Sequence, residues 1–240
     1  MFRRALVLMC TAGALGLAPQ PAHAQQTLNF TLGYFAVRGE DARDTTDVLV
    51  NDRRYLTFDV ADFNSATVGG EWLVPIGQFI EGGAGISFSR RTVPSFYTNE
   101  SRVGGGSIDQ DLRLRTVPIS FTLRVLPLGQ RSPVQPYIGG GLVVIPWRYS
   151  ESGDFVDFAN AGRLDIFHDT FVGSGNATGG VALGGIRFAG DHAVGGFEVR
   201  YQRAKADLPA SEFASSANQF PTIDLGGWTY QLTAGVRFGR

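Results

Sequence analysis

The end of the chain alternates with a period of two. In Trp228-Thr229-Tyr230-Gln231-Leu232-Thr233-Ala234-Gly235-Val236-Arg237-Phe238, one face carries Trp, Tyr, Leu, Ala, Val and Phe, and the other Thr, Gln, Thr, Gly and Arg. Successive side chains of a strand point to opposite faces, so this segment predicts a wall between an apolar and a polar medium. The beginning reads alike: Leu28, Phe30, Leu32 and Tyr34 oppose Asn29, Thr31 and Gly33, predicting a first strand over 27–38. A second, over 64–74, sets Ala66, Val68, Trp72 and Val74 against Thr67, Gly69 and Glu71. A third, over 78–90, follows a tight Pro75-Ile76-Gly77 turn and sets Ile80, Ala84, Ile86 and Phe88 against Glu81, Gly83, Gly85 and Ser87.

A fourth strand, over 110–126, shows Val117, Ile119, Phe121, Leu123 and Val125 outward and Thr116, Ser120, Thr122 and Arg124 inward. Pro118 falls on its inward face, where the missing N–H predicts a local bulge. The fifth (135–147) and sixth (177–188) are glycine-rich and weakly phased, whereas the seventh (192–203) clearly opposes Phe197, Val199 and Tyr201 to Glu198, Arg200 and Gln202. The connections alternate in length: 39–63, 91–109, 148–176 and 204–224 are long, while 75–77, 127–134 and 189–191 are short. Together these features predict an all-β protein, an eight-stranded antiparallel up-and-down transmembrane β-barrel with four long loops at one end. On that reading Trp72, Tyr137, Phe188 and Phe238 form a periplasmic aromatic girdle. Tyr34, Phe88, Trp147, Tyr201 and Trp228 form an outer one.

The first residues change the picture by giving an address. Arg3 and Arg4 precede an apolar run from Ala5 to Ala18, and Pro21-Ala22-His23-Ala24 supplies small residues before a cut, predicting a signal peptide over 1–24 and a barrel domain over 25–240. Cys10, the only cysteine, lies in that segment, and Met9 before it fits a lipidated cysteine poorly. Beyond residue 24, 19 basic residues face 22 acidic ones, so no nucleic-acid partner is implied. No later run is long and apolar enough for a spanning helix, which leaves a closed barrel as the way to cross a membrane.

In these features the chain resembles the small outer-membrane β-barrel families, the opacity-type proteins and the transmembrane domain of OmpA-like proteins. The resemblance spans 27–238 and rests on the signal, Leu114-Arg115-Thr116-Val117-Pro118-Ile119, the Pro136-Tyr137-Ile138-Gly139 strand start and the aromatic-alternating last strand. It implies outer-membrane lipid, lipopolysaccharide and the barrel-assembly machinery as partners. Such proteins end on an aromatic residue read by that machinery, whereas here Gly239-Arg240 follow Phe238.

Phasing directs Glu71, Glu81, Arg124, Glu198, Arg200 and Arg237 inward, with Arg187 a seventh candidate. Eight strands leave a lumen that side chains can fill, so these charges are expected to pair and plug it. The alternative is a narrow porin or ion channel. Catalysis has little to draw on: His168 sits in a loop beside Asp169 and Thr170, and His192 in a short turn beside Asp191. An outer-membrane lipid-modifying enzyme is the reading those residues would serve. The acids Asp41, Asp44, Asp47, Asp154 and Asp157 lack an EF-hand pattern, and Gly104-Gly105-Gly106 and Gly139-Gly140-Gly141 lack the context of a phosphate loop. The expectation is therefore no enzyme, no cofactor, no metal site and no nameable extracellular ligand. A soluble lipocalin-type barrel would need the two faces reversed.

Overall fold

The wall segments pair in sequence order, and the last returns to the first. The computed structural model describes residues 25–102, 105–157, 165–214 and 218–239; the predicted signal peptide lies outside them. The strands are β1 (Gln26–Val37), β2 (Ser65–Pro75), β3 (Ile80–Phe96), β4 (Asp109–Thr116), β5 (Ile119–Val125), β6 (Val134–Asp157), β7 (Asp165–Ala189), β8 (Ala193–Asp207), β9 (Thr222–Asp224) and β10 (Gly227–Phe238). β4 and β5 are two parts of one wall segment between β3 and β6, and β10 closes on β1 and β8, giving an antiparallel ring of 8. Closure pairs the wall on both sides around the lower ring, while 90–96 of β3 and 165–178 of β7, above it, are paired on one side only.

The break at Val117-Pro118 is not a bulge. Ser89 pairs with Thr116 and Ile86 with Ile119, so two residues face two across the gap and none is inserted. Proline removes one rung, while Val117 N–H still donates to the Pro146 carbonyl and Pro118 O accepts from Ser87 N–H, both at 2.9 Å. The β2–β3 turn is tight, with Ile76 N–H donating to Ile80 O at 2.8 Å and Gly77 taking a positive φ of 120° that favours glycine.

Three predicted loops are shorter than the sequence suggested, because the barrel continues past its apolar belt. β6 and β7 stay paired as far as Asp157 and Asp165, so most of the predicted 148–176 loop is wall. β3 likewise runs on to Phe96 and β8 to Asp207. The polarity of the wall reverses along its height. Near the short turns the outward face is apolar, as with Phe121, Leu123, Ile138, Leu142 (70 % exposed) and Leu232, and the inward face is polar. Beyond Thr116 and Trp147, Asp111, Arg113, Arg115 and Arg148 face out, while Leu112, Leu114 and Tyr149 are buried within.

The interior of this upper section is an apolar core. Val93, Ile145, Trp147, Ala177 and Ala204 from the wall meet Val48 and Leu49 of a short helix, α1 (Val48–Asp52), together with Phe58, Val60, Phe63, Leu208, Ile223 and Leu225 from the connections. The 39–63 and 204–224 connections thus fold back into the mouth. Asp47 fixes the first of them: it caps α1 by accepting from Leu49 N–H at 3.0 Å, accepts from Asp224 N–H at 2.7 Å and pairs with Arg43 at 2.9 Å.

Candidate functional site

The lower lumen gathers charges from five wall segments. Glu71 comes from β2, Glu81 from β3, Arg124 from β5, Arg187 from β7, and Glu198 and Arg200 from β8. Arg124, 1 % exposed, reaches Glu71 at 2.6 Å and Glu198 at 2.8 Å through one terminal nitrogen. Arg187 grips Glu81 with two nitrogens at 3.0 and 3.2 Å. Arg200 reaches Glu71 at 2.7 Å and also contacts Glu198. The Tyr137 hydroxyl donates to Glu198 at 2.8 Å, and Arg124 lies 4.8 Å from the centre of the Tyr137 ring. Gln231 donates to Glu198, and Gln135 accepts from Arg187, each at 2.9 Å. Three carboxylates thus face three guanidiniums, and the polar neighbours take up further lone pairs and protons, the condition under which buried charge is tolerable.

Arg187 belongs to this network, and Arg237 does not. At the end of β10 the Arg237 guanidinium donates instead to the carbonyls of Gly190 and Gln130, at 3.2 and 3.4 Å, on the rim. Two of the predicted girdle residues point inward. Tyr137, 4 % exposed, shares the parity of Gln135 and lines the ion network; Trp147, 5 % exposed, shares the parity of Tyr149 and joins the apolar core. A Cβ at Gly185 would sit 2.7 Å from the Tyr137 hydroxyl, so that glycine makes room for the inward ring. Trp72, Phe188, Phe238, Tyr34, Phe88 and Trp228 are exposed on the outer wall, and Tyr201 packs against Trp228 with ring centres 4.8 Å apart.

Between the ion network and the apolar core lies a cavity of about 30 Å³ lined by Thr31, Glu71, Ser120, Arg200 and Gln231, room for one or two waters. Above it, the apolar core holds acids that the sequence did not single out. Tyr149 donates to Asp52 at 3.1 Å, and Glu151, buried, lies against both, with Oε1 lacking a hydrogen-bond partner. Burial, above all, pushes the Glu151 carboxyl up to about 7, and burial followed by the nearby Glu151 raises Asp52 well above the usual carboxylate range. The available signal was parity, since Tyr149 and Glu151 continue the inward face of Val143, Ile145 and Trp147.

The remaining loop acids pair locally. Asp154 contacts Arg102 and lies 2.9 Å from His168 Nδ1, with the imidazole largely exposed; the hydrogen bond from His168 and the charge of Arg102 hold the Asp154 carboxyl below its ordinary value. Asp44 pairs with Lys205 at 2.6 Å. Among the described residues, no three His, Cys, Asp or Glu side chains gather as a metal site would require. No helix among them is long and apolar enough to cross a membrane, which says nothing about crossing by strands.

No protein-family model and no curated protein matches the sequence. Among solved structures the chain is similar to Ail, the attachment invasion locus protein of Yersinia pestis, at 10 % identity and a TM-score of 0.44 over 90 % of this chain and 99 % of that one. It is similar to Neisserial surface protein A at 12 % identity and a TM-score of 0.43, covering 90 % and 97 % of the two chains. It is similar to outer membrane protein W of E. coli at 15 % identity and a TM-score of 0.38, covering 90 % and 100 %. The fold itself rests on the closed ring of antiparallel strands: an eight-stranded up-and-down β-barrel.

Proposed function

We propose that the protein is a non-enzymatic integral outer-membrane barrel that stays closed and presents a folded head above the membrane for surface interaction. One observation carries this reading: an apolar outer wall surrounds a neutral, buried network of Glu71, Glu81, Glu198, Arg124, Arg187 and Arg200. Hydrocarbon accepts such a wall because a closed barrel satisfies its backbone internally, whereas a soluble barrel would need the faces reversed. The apolar core seated over the network supports a second closure of the lumen. The surroundings of such a barrel are outer-membrane lipid and lipopolysaccharide, reached through the barrel-assembly machinery after removal of residues 1–24. Its contact surface is the set of connections and strand extensions at the mouth.

The test is outer-membrane fractionation with heat-modifiable gel mobility, followed by a conductance record in planar bilayers. Recovery in the outer-membrane fraction with no steady conductance is expected. A soluble periplasmic protein would overturn the membrane reading, and a steady, large conductance would overturn the closed lumen in favour of a narrow porin.

A further inference from the structure

The outer wall carries a row of arginines where its polarity reverses. On β3, β4 and β6, the pairing places Arg90 directly opposite Arg115, and Arg115 directly opposite Arg148. Arg113 lies two residues above Arg115 on the same face, and all four side chains are exposed. Adjacent strands are about 4.8 Å apart, so the row spans roughly 10 Å. Like charges opposite one another across a sheet destabilise it. Among the described residues none of the four forms an ion pair with a carboxylate; Arg113 donates to Thr92 at 3.1 Å, and Arg115 lies 5.8 Å from the centre of the Phe88 ring. By contrast, Arg38 and Lys205 are neutralised, by Asp224 and by Asp44, each at 2.6 Å.

The position of the row is a second observation. Directly below it the same outward faces become apolar, with Phe88 beneath Arg90 and Ile119 and Phe121 below Arg115. Together with Ser150 and one carboxylate, Asp111, the four arginines line a surface recess of about 360 Å³. A ligand for this recess needs several negative charges at the top and an apolar body that lies along the wall below. Guanidinium forks match phosphate oxygens two at a time.

Resting on the outer-membrane reading, we propose that Arg90, Arg113, Arg115 and Arg148 form a binding site for the phosphorylated headgroup of an outer-leaflet glycolipid, whose acyl chains follow the apolar wall beneath. The site fixes the barrel's height in the membrane and gives this one side a preferred lipid.

The test is titration of the purified, folded protein in a neutral detergent with diphosphorylated lipid A, followed by native mass spectrometry. Dephosphorylated lipid A and inorganic phosphate are the comparison probes. The double variant Arg115→Gln/Arg148→Gln is expected to bind the phosphorylated lipid at least about tenfold more weakly, since removing one charge-assisted hydrogen bond weakens binding by about a factor of ten. Dephosphorylated lipid A should bind the wild type more weakly by a similar factor. Arg203→Gln, on β8, two strands along the wall from β6, should bind as wild type does. Retained heat-modifiable mobility shows that a variant is folded, and Arg90→Gln/Arg113→Gln tests the same row if the first pair does not fold. Unchanged affinity in a folded double variant, equal binding of the dephosphorylated lipid, or displacement of the lipid by millimolar phosphate would each overturn the site. Because binding is read in detergent, this outcome is separate from that of fractionation and conductance.

Discussion

The two halves of the barrel solve opposite solvent problems with one continuous wall. In the lower half the outward face is apolar and the wall encloses ion pairs; in the upper half the outward face is polar and the wall encloses Leu112, Leu114, Ile145 and Tyr149. β6 passes from one regime to the other without a change of parity, since Gln135, Tyr137, Val143, Ile145, Trp147 and Tyr149 all point inward. What changes is which face is apolar. An inside-out pattern and an ordinary one can therefore share a strand, exchanging at Trp147 and Arg148, where the outward face turns from apolar to polar.

The contrast has consequences that differ in size. Arg124→Met should have the largest effect, about 3–5 kcal/mol, because it leaves three buried carboxylates, Glu71, Glu81 and Glu198, facing two guanidiniums. A urea titration of heat-modifiable mobility would measure it, and a loss under about 1 kcal/mol would break the idea that the lower half depends on charge pairing. Leu112→Ala, in the apolar core of the upper half, should cost about 2–4 kcal/mol by leaving a cavity. Its loss should appear first as protease sensitivity of the mouth, while the lower wall stays paired.

The Glu151 carboxyl gives the upper half a pH dependence. Its folded-state pKa, about 7, lies above the ordinary value of 4.5, so the contribution of this group to the stability of the head is greatest at low pH, where it is protonated in both states, and is lost as pH rises through about 7. Glu151→Gln should therefore stabilise the head at pH 8 by about 2 kcal/mol, and by much less at pH 4. Proteolysis rates at the two pH values measure this; equal stabilisation at both would show that the carboxyl is not protonated on folding. Arg102→Ala, at an exposed pair with Asp154, should change stability by less than about 1 kcal/mol.

The sequence made the strand number and the lower half legible, because period-two alternation and the placement of Glu71, Glu81, Arg124, Glu198 and Arg200 follow from side-chain geometry alone. The upper half was misread for a physical reason. Past Trp147 the outward residues turn polar, as in Arg148, Ser150 and Ser152, and a search for apolar residues outside takes that as the end of the wall. The same assumption sent Tyr137 and Trp147 to the girdles, although Tyr137 shares the parity of Gln135. Arg237 fails differently: its parity is inward, but it stands at the rim, where it donates to the Gly190 and Gln130 carbonyls instead of pairing with a carboxylate, and parity carries no information about height. The Asp52–Tyr149–Glu151 cluster needed the folding-back of 39–63, which no local pattern announces.

The order in which the charges lie along the chain bears on how the barrel comes together. A sheet built only from β1 to β5 holds Glu71 and Glu81 against Arg124, one carboxylate in excess; Arg187 arrives with β7, and Glu198 and Arg200 arrive together on β8. The seventh strand is therefore the bolt of an electrical lock: until Arg187 arrives, the inner face of the growing sheet carries one unmatched carboxylate, and from β7 onward it is balanced. Neutralisation thus comes before β10 closes the ring, so a chain cut before β7 should fail to assemble, because it leaves an inward carboxylate without its cation.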